Sequence, residues 1–265
     1  MKPAVQDSHR HSAIADFFQR CDHTKIARLL LDYDGTLAPF QTDRYKAYPY
    51  AGISSILSRI IETGRTKVSI VSGRPIKELQ RLLNPLQHLE IWGAHGMEHV
   101  SADGVYERAS IDPEALSILQ QAADWLRQSG LLSIAEIKPG GIAVHWRGLA
   151  PAEAEDILSR IRRGWSRFDE VPSIKLLMFD GGIELRATHP DKGDAIRTTL
   201  ADADLNAAVA FLGDDLTDED AFRILSNRGL SILVRSEYRD TSANVWLRPP
   251  HELIEFLNAW AERLA

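Results

Sequence analysis

Short apolar runs that stop at polar, acidic or small residues recur along the chain. Residues 27–31, 67–71 and 208–212 are three such runs. A run of this kind is typical of a buried parallel strand that opens into a loop. Helical patterns lie before and between these runs, at residues 12–24, 50–63, 75–83 and 192–202.

Strands that alternate with helices predict an α/β fold, a doubly wound parallel sheet with helices on both faces. Ligands of such sheets bind at the carboxyl ends of the strands. Each apolar run is followed at that end by a polar cluster, namely Asp32–Thr36, Ser72–Pro75 and Gly213–Asp220. The pattern therefore predicts that the three clusters meet at one edge of the sheet, where we expect a functional site.

The middle of the chain has a different pattern, in which a helix and two strands are followed by a second helix and two more strands. Asp112 before Pro113 is typical of a capped helix start. Asp180, Gly181 and Gly182 are typical of a tight hairpin turn. The predicted elements are helices at 112–130 and 151–163 and strands at 133–138, 142–147, 173–179 and 182–187.

This second pattern predicts a separate domain, because the first and second parts of the α/β pattern lie on either side of it. We expect an inserted α+β cap domain at residues 105–186. Residues 1–104 and 187–265 would then form the parallel-sheet core domain.

The composition argues against several classes of partner. The 265 residues carry a formal net charge of -6 without a block of basic residues, so we expect no nucleic acid and no membrane partner. Cys21 is the one cysteine, which precludes an intrachain disulfide. No apolar run approaches the roughly eighteen residues of a membrane span, and the polar N-terminal segment predicts no signal peptide. We expect a cytoplasmic monomer that acts on a small molecule.

Asp32 and Asp34 are candidates for phosphoryl chemistry at the end of the first strand. Phosphoryl transfer needs a nucleophile, a proton donor for the leaving oxygen and compensation of negative charge. A carboxylate that attacks phosphate therefore needs a magnesium ion and cationic donors nearby. Paired aspartates that only cap a loop or a helix are an equally good interpretation of these two residues alone.

Two further positions are suited to holding a phosphate. Ser72 presents a hydroxyl at a predicted helix start, where backbone amides and the helix dipole favour anions. Lys192 also lies at a predicted helix start, where a cation can neutralise phosphate and an attacking carboxylate. In isolation, a helix-capping serine and a solvated lysine are the favoured interpretations of these two residues.

An acidic segment follows the third apolar run. Residues 213–220 contain five acids, which would repel one another unless a cation lies among them. Mg²⁺ prefers one or two carboxylates plus water, so we expect Asp214 to bind the metal directly, with Asp215 and Asp218 orienting its other ligands. A solvated acidic loop is the alternative. The segment lacks the central glycine of a calcium-binding hand, and the chain lacks a glycine-rich nucleotide loop.

Taken together and in this order, the motifs resemble the haloacid dehalogenase-like phosphatases. The motifs are Asp32–Thr36, Ser72, Lys192 and Gly213–Asp218. Within that superfamily the chain is most similar to the trehalose-6-phosphate phosphatase family. The closer resemblance depends also on the segments Gly93–Glu98, Val144–Arg147, Glu184–Arg186 and Leu216–Phe222.

The resemblance implies a Rossmann-like core and a role for each matched residue. Asp32 would be the nucleophile, and Asp34 would protonate the leaving sugar oxygen and later activate water. Ser72 and Lys192 would hold the phosphate. Mg²⁺ would lie between the Asp32 carboxylate, the backbone carbonyl of Asp34 and Asp214.

The resemblance also implies a set of residues that bind the substrate, a small-molecule sugar phosphate. The expected positions are Arg74, His95 and Glu98 in the core and Lys138, His145, Arg147 and Glu184 in the cap. The chain departs from the family pattern in Trp146, where tyrosine is common, and Ala187, where proline is common. Both positions bear on the sugar rather than on the phosphate chemistry.

Several functions remain open at this point. The substrate could be trehalose 6-phosphate or another glycosyl phosphate, such as glucosylglycerol phosphate or mannosyl-3-phosphoglycerate. A phosphotransferase or phosphomutase would need a second acceptor site, which the sequence does not indicate. A degenerate fold that only binds ligands is disfavoured because Asp32, Asp34, Lys192 and Asp214 are all present.

Overall fold

A computed structural model of the chain describes residues 3–168, 170–179, 181–204, 206–226 and 228–264. The described residues divide into two compact units. The first comprises the chain up to Glu107 and from Lys192 onward, and the second comprises Arg108–Asp191. These boundaries fall three and five residues later than the positions 104/105 and 186/187 predicted for the cap.

The strands and helices of the described chain are as follows. The strands are β1 (Ala27–Leu31), β2 (Thr66–Val71), β3 (Glu90–Gly93), β4 (Glu98–Val100), β5 (Tyr106–Arg108), β6 (Ala135–Lys138), β7 (Gly141–His145), β8 (Ile174–Phe179), β9 (Gly182–Ala187), β10 (Val209–Gly213), β11 (Leu230–Val234) and β12 (Val245–Leu247). The helices are α1 (Pro3–Cys21), α2 (Ile53–Glu62), α3 (Ile76–Leu83), α4 (Pro113–Gln128), α5 (Pro151–Trp165), α6 (Lys192–Ala201), α7 (Glu219–Leu225) and α8 (His251–Arg263).

The first unit is built on an eight-stranded sheet in the order β12-β11-β10-β1-β2-β3-β4-β5. The strands from β12 to β3 are parallel, and β4 runs antiparallel to β3. All five residues of β1 and of β10 are buried, as expected for central strands that are covered on both faces. The prediction of a parallel sheet is confirmed.

Helices cover both faces of this sheet, so the doubly wound arrangement is confirmed. Side chains of α1, α2, α3 and α8 pack with one face, where Leu29 and Leu31 lie. Residues of α6 and α7 pack on the other face, together with Leu30 and Phe211. Successive residues of a strand point to opposite faces, which explains why Leu29, Leu30 and Leu31 are all apolar although neighbouring residues face different helices.

The second unit contains a four-stranded antiparallel sheet in the order β6-β7-β9-β8. Helix α4 begins as predicted, with the Asp112 carboxylate accepting the backbone N–H of Glu114 at 2.8 Å. The β8–β9 hairpin pairs Phe179 with Gly182. Gly181 has a φ of +84°, and Asp180 lies outside the described residues.

Several predicted boundaries were wrong. The first helix begins at Pro3 and ends at Cys21, whereas the pattern predicted 12–24. Strand β7 ends at His145, so Trp146 and Arg147 follow the strand instead of continuing it. Strands β3, β4, β5, β11 and β12 and helices α7 and α8 were not predicted.

No helix in the described part of the chain is long and apolar enough to cross a membrane.

The structure predicts that Cys21 is chemically inert in the folded protein. The residue is 0% exposed, and burial raises the pKa of its thiol to about 12. Because the thiolate is the reactive form, we expect no reaction with a thiol reagent such as dithionitrobenzoate at pH 8. One equivalent should react after denaturation with guanidinium chloride. Stoichiometric labelling of the folded protein within minutes would contradict this burial.

Candidate active site

The adjacent ends of β1 and β10 bring two aspartates together. Leu31 is level with Leu212 in the parallel register, and the Asp32 N–H donates to the Leu212 carbonyl at 2.8 Å. Asp32 follows β1 directly and Asp214 follows β10 directly. Each is 3% exposed, so two carboxylates lie buried side by side at this edge of the sheet.

The loop after β1 packs tightly on the Asp214 carboxylate. Gly35 has a φ of +82°, and a Cβ added there would lie 2.1 Å from Asp214 Oδ2. Only glycine satisfies both the left-handed backbone and the close approach. The Asp214 carboxylate thus lies where the side chain of any other residue at position 35 would have to be.

Lys192 connects the two carboxylate segments. Its Nζ lies 2.7 Å from Asp32 Oδ1 and 2.7 Å from Asp218 Oδ1. The lysine is 4% exposed and is the first residue of α6. The solvated-lysine interpretation is therefore wrong, because this ammonium is buried among aspartates.

The buried groups carry more negative than positive charge. Asp32, Asp214 and Asp218 face one ammonium, Lys192, so the ionised cluster has two negative charges in excess. Burial raises the pKa of Asp32 to about 7, although Lys192 opposes the rise. Burial and the charges of Asp32 and Asp218 raise the pKa of Asp214 well above its usual range. Burial disfavours the charged form of Lys192, but the two aspartates outweigh it and raise its pKa.

Asp218 and Asp215 organise the turn after β10. Asp218 is 0% exposed, and its Oδ2 accepts the backbone N–H groups of Asp214 and Asp215, both at 3.0 Å. The Asp215 side chain caps the Leu216 N–H at 2.7 Å. These contacts fix the backbone that carries Asp214, and the expected role of Asp215 and Asp218 in orienting metal ligands stays a prediction.

Asp34 is held by an arginine. Arg74 Nε and Nη2 donate to Asp34 Oδ2 and Oδ1 at 2.6 and 2.7 Å. Arg74 Nη1 donates to the Arg44 carbonyl at 2.8 Å and lies 3.5 Å from Glu78. In this structure Arg74, which the sequence assigned to the substrate, forms a two-point pair with Asp34.

Ser72 and His95 lie in two loops that pack on each other. Ser72 follows β2, is 1% exposed, and accepts the Arg74 N–H through its hydroxyl at 3.2 Å. The His95 N–H donates to the Ser72 carbonyl at 2.9 Å. His95 has a φ of +59°, an uncommon conformation for histidine that a surrounding structure must stabilise. A Cβ on Gly73 would lie 2.5 Å from His95 Nε2, so Gly73 permits this contact.

Glu98 was also expected to bind the substrate, but in this structure its carboxylate accepts hydrogen bonds from other residues of the chain. Its Oε2 accepts the Ile76 N–H at 2.9 Å, at the start of α3, and its Oε1 accepts the Tyr106 hydroxyl at 2.9 Å. The carboxylate thus fixes a helix start, where a negative charge is favourable.

In the second unit, a polar cluster lies on one face of the antiparallel sheet. Lys138 Nζ lies 3.1 Å from Glu184 Oε1 and 3.9 Å from Glu136 Oε2. His145 Nε2 lies 3.1 Å from the same Glu136 carboxylate oxygen. Strand register places Glu136 level with Ala143 and Glu184. The structure therefore brings together three of the four expected cap residues.

Arg147, the fourth expected cap residue, follows β7 and packs against the β8–β9 turn. A Cβ added to Gly181 would lie 2.8 Å from Arg147 Cβ. His145 is level with Gly182 in the strand register, so Arg147 lies at the same end of the sheet as His145.

Three residues at these sites were missed by the sequence analysis. Thr36 Oγ1 donates to Asp32 Oδ2 at 3.2 Å, and its place four residues after Asp32 was a usable signal. Glu136 joins His145 to Lys138, and its alternation with Lys138 on β6 was a second signal. Arg239 donates to the Asp215 carbonyl at 2.8 Å, a contact across 24 residues that no local pattern indicates.

The residues around Asp32 fit a divalent cation. Asp32, Asp214 and Asp218 each offer a carboxylate oxygen, and these oxygens lie within 4.8 Å of one another. Their two excess negative charges match the charge of a divalent ion, and hard oxygen ligands are those that Mg²⁺ prefers.

Known proteins resemble the chain in sequence. The family model described as trehalose-phosphatase matches residues 30–250. The trehalose-phosphate phosphatase of Mycobacterium ulcerans is 32% identical over 285 residues, covering 98% of this chain and 70% of that protein. The probable trehalose-phosphate phosphatase H of Arabidopsis thaliana is 28% identical over 277 residues, covering 95% and 77%.

Solved structures resemble the chain in fold. The C-terminal domain of the C. albicans trehalose-6-phosphate phosphatase superposes with a TM-score of 0.78 at 19% identity, covering 94% of this chain and 96% of that one. The C-terminal domain of the Candida albicans trehalose synthase regulatory protein gives 0.72 at 14% identity, covering 93% and 98%. A haloacid dehalogenase-like hydrolase from B. subtilis gives 0.61 at 15% identity, covering 88% and 99%.

The structural likenesses establish a haloacid dehalogenase-like fold, and the sequence matches go further. The family model spans most of the chain, and a relative above 30% identity is covered over more than two thirds of its length. The chain therefore belongs to the trehalose-phosphatase family and is a phosphoric monoester hydrolase.

Proposed function

We propose that the chain hydrolyses trehalose 6-phosphate to trehalose and phosphate, through a phosphorylated Asp32 and with the help of Mg²⁺. The observation that carries the proposal is the convergence of Asp32, Asp214 and Lys192, which come from three separate parts of the chain. Its substrate is supported by family membership and by relatives named trehalose-phosphate phosphatase.

In the first half-reaction, an Asp32 oxygen would attack phosphorus. An Asp32–phosphorus bond would form as the bond between phosphorus and the sugar oxygen breaks. Lys192 and Thr36 contact the two oxygens of Asp32 and so orient the carboxylate. Because the pKa of Asp32 is raised by burial, the positive charge of Lys192 is needed to favour the ionised nucleophile.

Asp34 would move the proton in both half-reactions. It would give a proton to the departing sugar oxygen, and then take one from the water that attacks phosphorus and releases phosphate from Asp32. Arg74 engages both oxygens of Asp34 in this structure. Each carboxylate oxygen has a second lone pair, so Asp34 can bind and release a proton there while Arg74 holds the side chain in place.

The metal would be held by Asp32, Asp214 and the backbone carbonyl of Asp34, with Asp218 and Asp215 holding the loop. When bound, Mg²⁺ supplies charge neutralisation for the phosphate oxygens and the attacking carboxylate. Ser72 would hold a phosphate oxygen through its hydroxyl.

The polar cluster of the second unit would bind the sugar. Lys138, Glu184 and His145 present donors and acceptors on one sheet face, which suits a ligand rich in hydroxyl groups. We place Arg147, His95 and Glu98 in the same substrate-binding group. Phosphatases for other glycosyl phosphates would share the Asp32 chemistry and differ in such residues.

A ligand-binding module is the alternative from another class. One structural neighbour is the C-terminal domain of the Candida albicans trehalose synthase regulatory protein, and it shares the fold. The present chain retains the carboxylates and the lysine that the chemistry requires, and this favours an enzyme.

The first test replaces the proposed nucleophile. Asp32→Asn should lower kcat for trehalose 6-phosphate by roughly a thousandfold or more, because an amide cannot form the phosphorylated intermediate. Phosphate release with and without Mg²⁺ measures the effect. Asp103→Asn, an exposed position, is the matched control and should retain wild-type turnover. Activity of a folded Asp32→Asn protein at the wild-type level would exclude the mechanism.

A second test follows metal binding without activity. Mg²⁺ at about a hundred times its Kd should raise the free energy of unfolding by about 2.7 kcal/mol, measured by urea denaturation. Asp214→Asn should lose most of this gain, whereas Asp103→Asn should keep it. Equal stabilisation of all three proteins would contradict a site at Asp214.

The same measurement should depend on pH. The pKa of Asp32 is raised to about 7 and that of Asp214 is also raised, so the folded metal-free protein retains protons that the unfolded chain releases above about pH 4. The contribution of these groups to stability therefore falls as pH rises from about 4 to about 7. Because Mg²⁺ needs ionised carboxylates, its stabilising effect should grow over that window. A constant effect between these pH values would be evidence against the site.

A third test concerns the sugar. Glu184→Gln should raise KM for trehalose 6-phosphate roughly tenfold, because it removes a charged partner from the polar cluster. It should leave kcat/KM for para-nitrophenyl phosphate nearly unchanged. Glu153→Gln, exposed on α5, is the control.

Comparable wild-type rates on glucosylglycerol phosphate and mannosyl-3-phosphoglycerate would refute selectivity for trehalose 6-phosphate.

A further inference from the structure

Arg74 is a buried cation whose contacts lie within the protein. It is 7% exposed, and its guanidinium is shared between the Asp34 carboxylate, the Arg44 carbonyl and the Glu78 carboxylate. Such a planar fork matches a carboxylate at two points and fixes its orientation more strictly than a lysine can.

Each contact of this arginine has a separate structural origin. Asp34 lies 40 residues away along the chain and follows β1, whereas Arg74 lies between β2 and α3. Glu78 is on the first turn of α3 and also binds Arg44 at 2.7 Å. Arg74 is therefore braced on one side by Arg44 and Glu78 and presents its other side to Asp34.

We infer that Arg74 is a positioning residue, which holds the Asp34 carboxylate in place for proton transfer and does not bind the substrate phosphate. The inference rests on the proposed function, because it assumes that Asp34 moves the proton. It differs from the role that the sequence resemblance implied for Arg74. These contacts use four of the five guanidinium N–H groups. Arg74 could therefore bind a phosphate at two points only by giving up one of them, whereas a positioning role keeps every contact that the structure contains.

The two roles predict different dependence on the leaving group. A proton donor matters most when the departing oxygen is basic, as in a sugar phosphate, and least for a nitrophenolate. Loss of Asp34 orientation should therefore lower kcat/KM more for poor leaving groups. Loss of a phosphate ligand should lower kcat/KM equally for all phosphate esters.

The experiment measures kcat/KM for a series of substituted phenyl phosphates and for trehalose 6-phosphate. Arg74→Met should lower the value roughly a hundredfold for the sugar phosphate and less than about threefold for para-nitrophenyl phosphate. The plot of log kcat/KM against leaving-group pKa should become steeper than in the wild type, as it should in Asp34→Asn. Arg74→Lys should have an intermediate slope, because it keeps the charge but loses the fork.

Arg28→Met is the matched control. Arg28 is 8% exposed and donates to the Asp202 carbonyl at 2.9 Å, at the opposite end of β1 from Asp32. For Arg28→Met, the slope of log kcat/KM against leaving-group pKa should equal that of the wild type. Thermal unfolding shows whether Arg74→Met folds. If it does not, Arg74→Lys provides the test, and its plot of log kcat/KM against leaving-group pKa should also be steeper than that of the wild type.

Two outcomes would overturn the inference in distinguishable ways. An active Arg74→Met or Arg74→Lys enzyme with the wild-type slope and a uniform loss on every ester would refute the positioning role alone. A folded wild-type protein that hydrolyses none of the esters would refute the proposed function and this inference with it.

Discussion

The site depends on the pair of hydrogen bonds that Lys192 makes to Asp32 and Asp218. Three aspartates lie almost fully buried within a few ångströms of one another, an arrangement that repulsion and lost hydration would oppose. One ammonium at 2.7 Å from two of them lowers that cost without removing it. The remaining negative charge leaves the site suited to a divalent cation and then to a phosphate.

The position of Lys192 shows how local and tertiary forces differ in size. A lysine at the first residue of a helix opposes the helix dipole by about 0.3–1 kcal/mol. Removing one partner from a buried charge pair costs about 3–5 kcal/mol. The tertiary contact therefore outweighs the helix dipole, which explains why a helix start carries a residue that local preference disfavours. The same positive helix end adds to the attraction for an anion.

The parts of the fold that the sequence predicts are those with a strong local signal. Strands β1, β2 and β10 have five or six residues each and end at polar clusters, so the sequence indicated both the strands and the candidate site at their ends. Strand β5, Tyr106–Arg108, is exposed at all three positions and has no apolar pattern. Its pairing in the sheet is set by neighbouring strands, and this places the unit boundary later than predicted. Strand β11 is fully buried, but it was not predicted because no candidate catalytic motif was recognised at its end.

The site could be predicted as a set of residues but not as a set of contacts. The motifs identified Asp32, Asp214 and Lys192 because each follows a strand or begins a helix. They did not indicate that Asp218 would accept two backbone N–H groups, or that Arg74 would bind Asp34. These pairings depend on how loops from different strands pack, and such information is absent from local spacing.

The division of charge between the two units bears on what can vary within the family. The first unit holds the excess buried negative charge, which suits it to a divalent cation. Neutralisation of the phosphate by such a cation does not depend on the alcohol that carries the phosphate. The sheet of the second unit holds balanced pairs, such as Lys138 with Glu184, and a glycine lies against them. A Cβ on Gly141 would lie 3.2 Å from Glu184 Oε1 and 3.2 Å from Arg186 Cβ. A larger residue at Gly141 would therefore shift the polar cluster and leave the buried aspartates of the first unit unchanged. Under the proposed function, such a change would alter the choice of sugar without altering the reaction at Asp32.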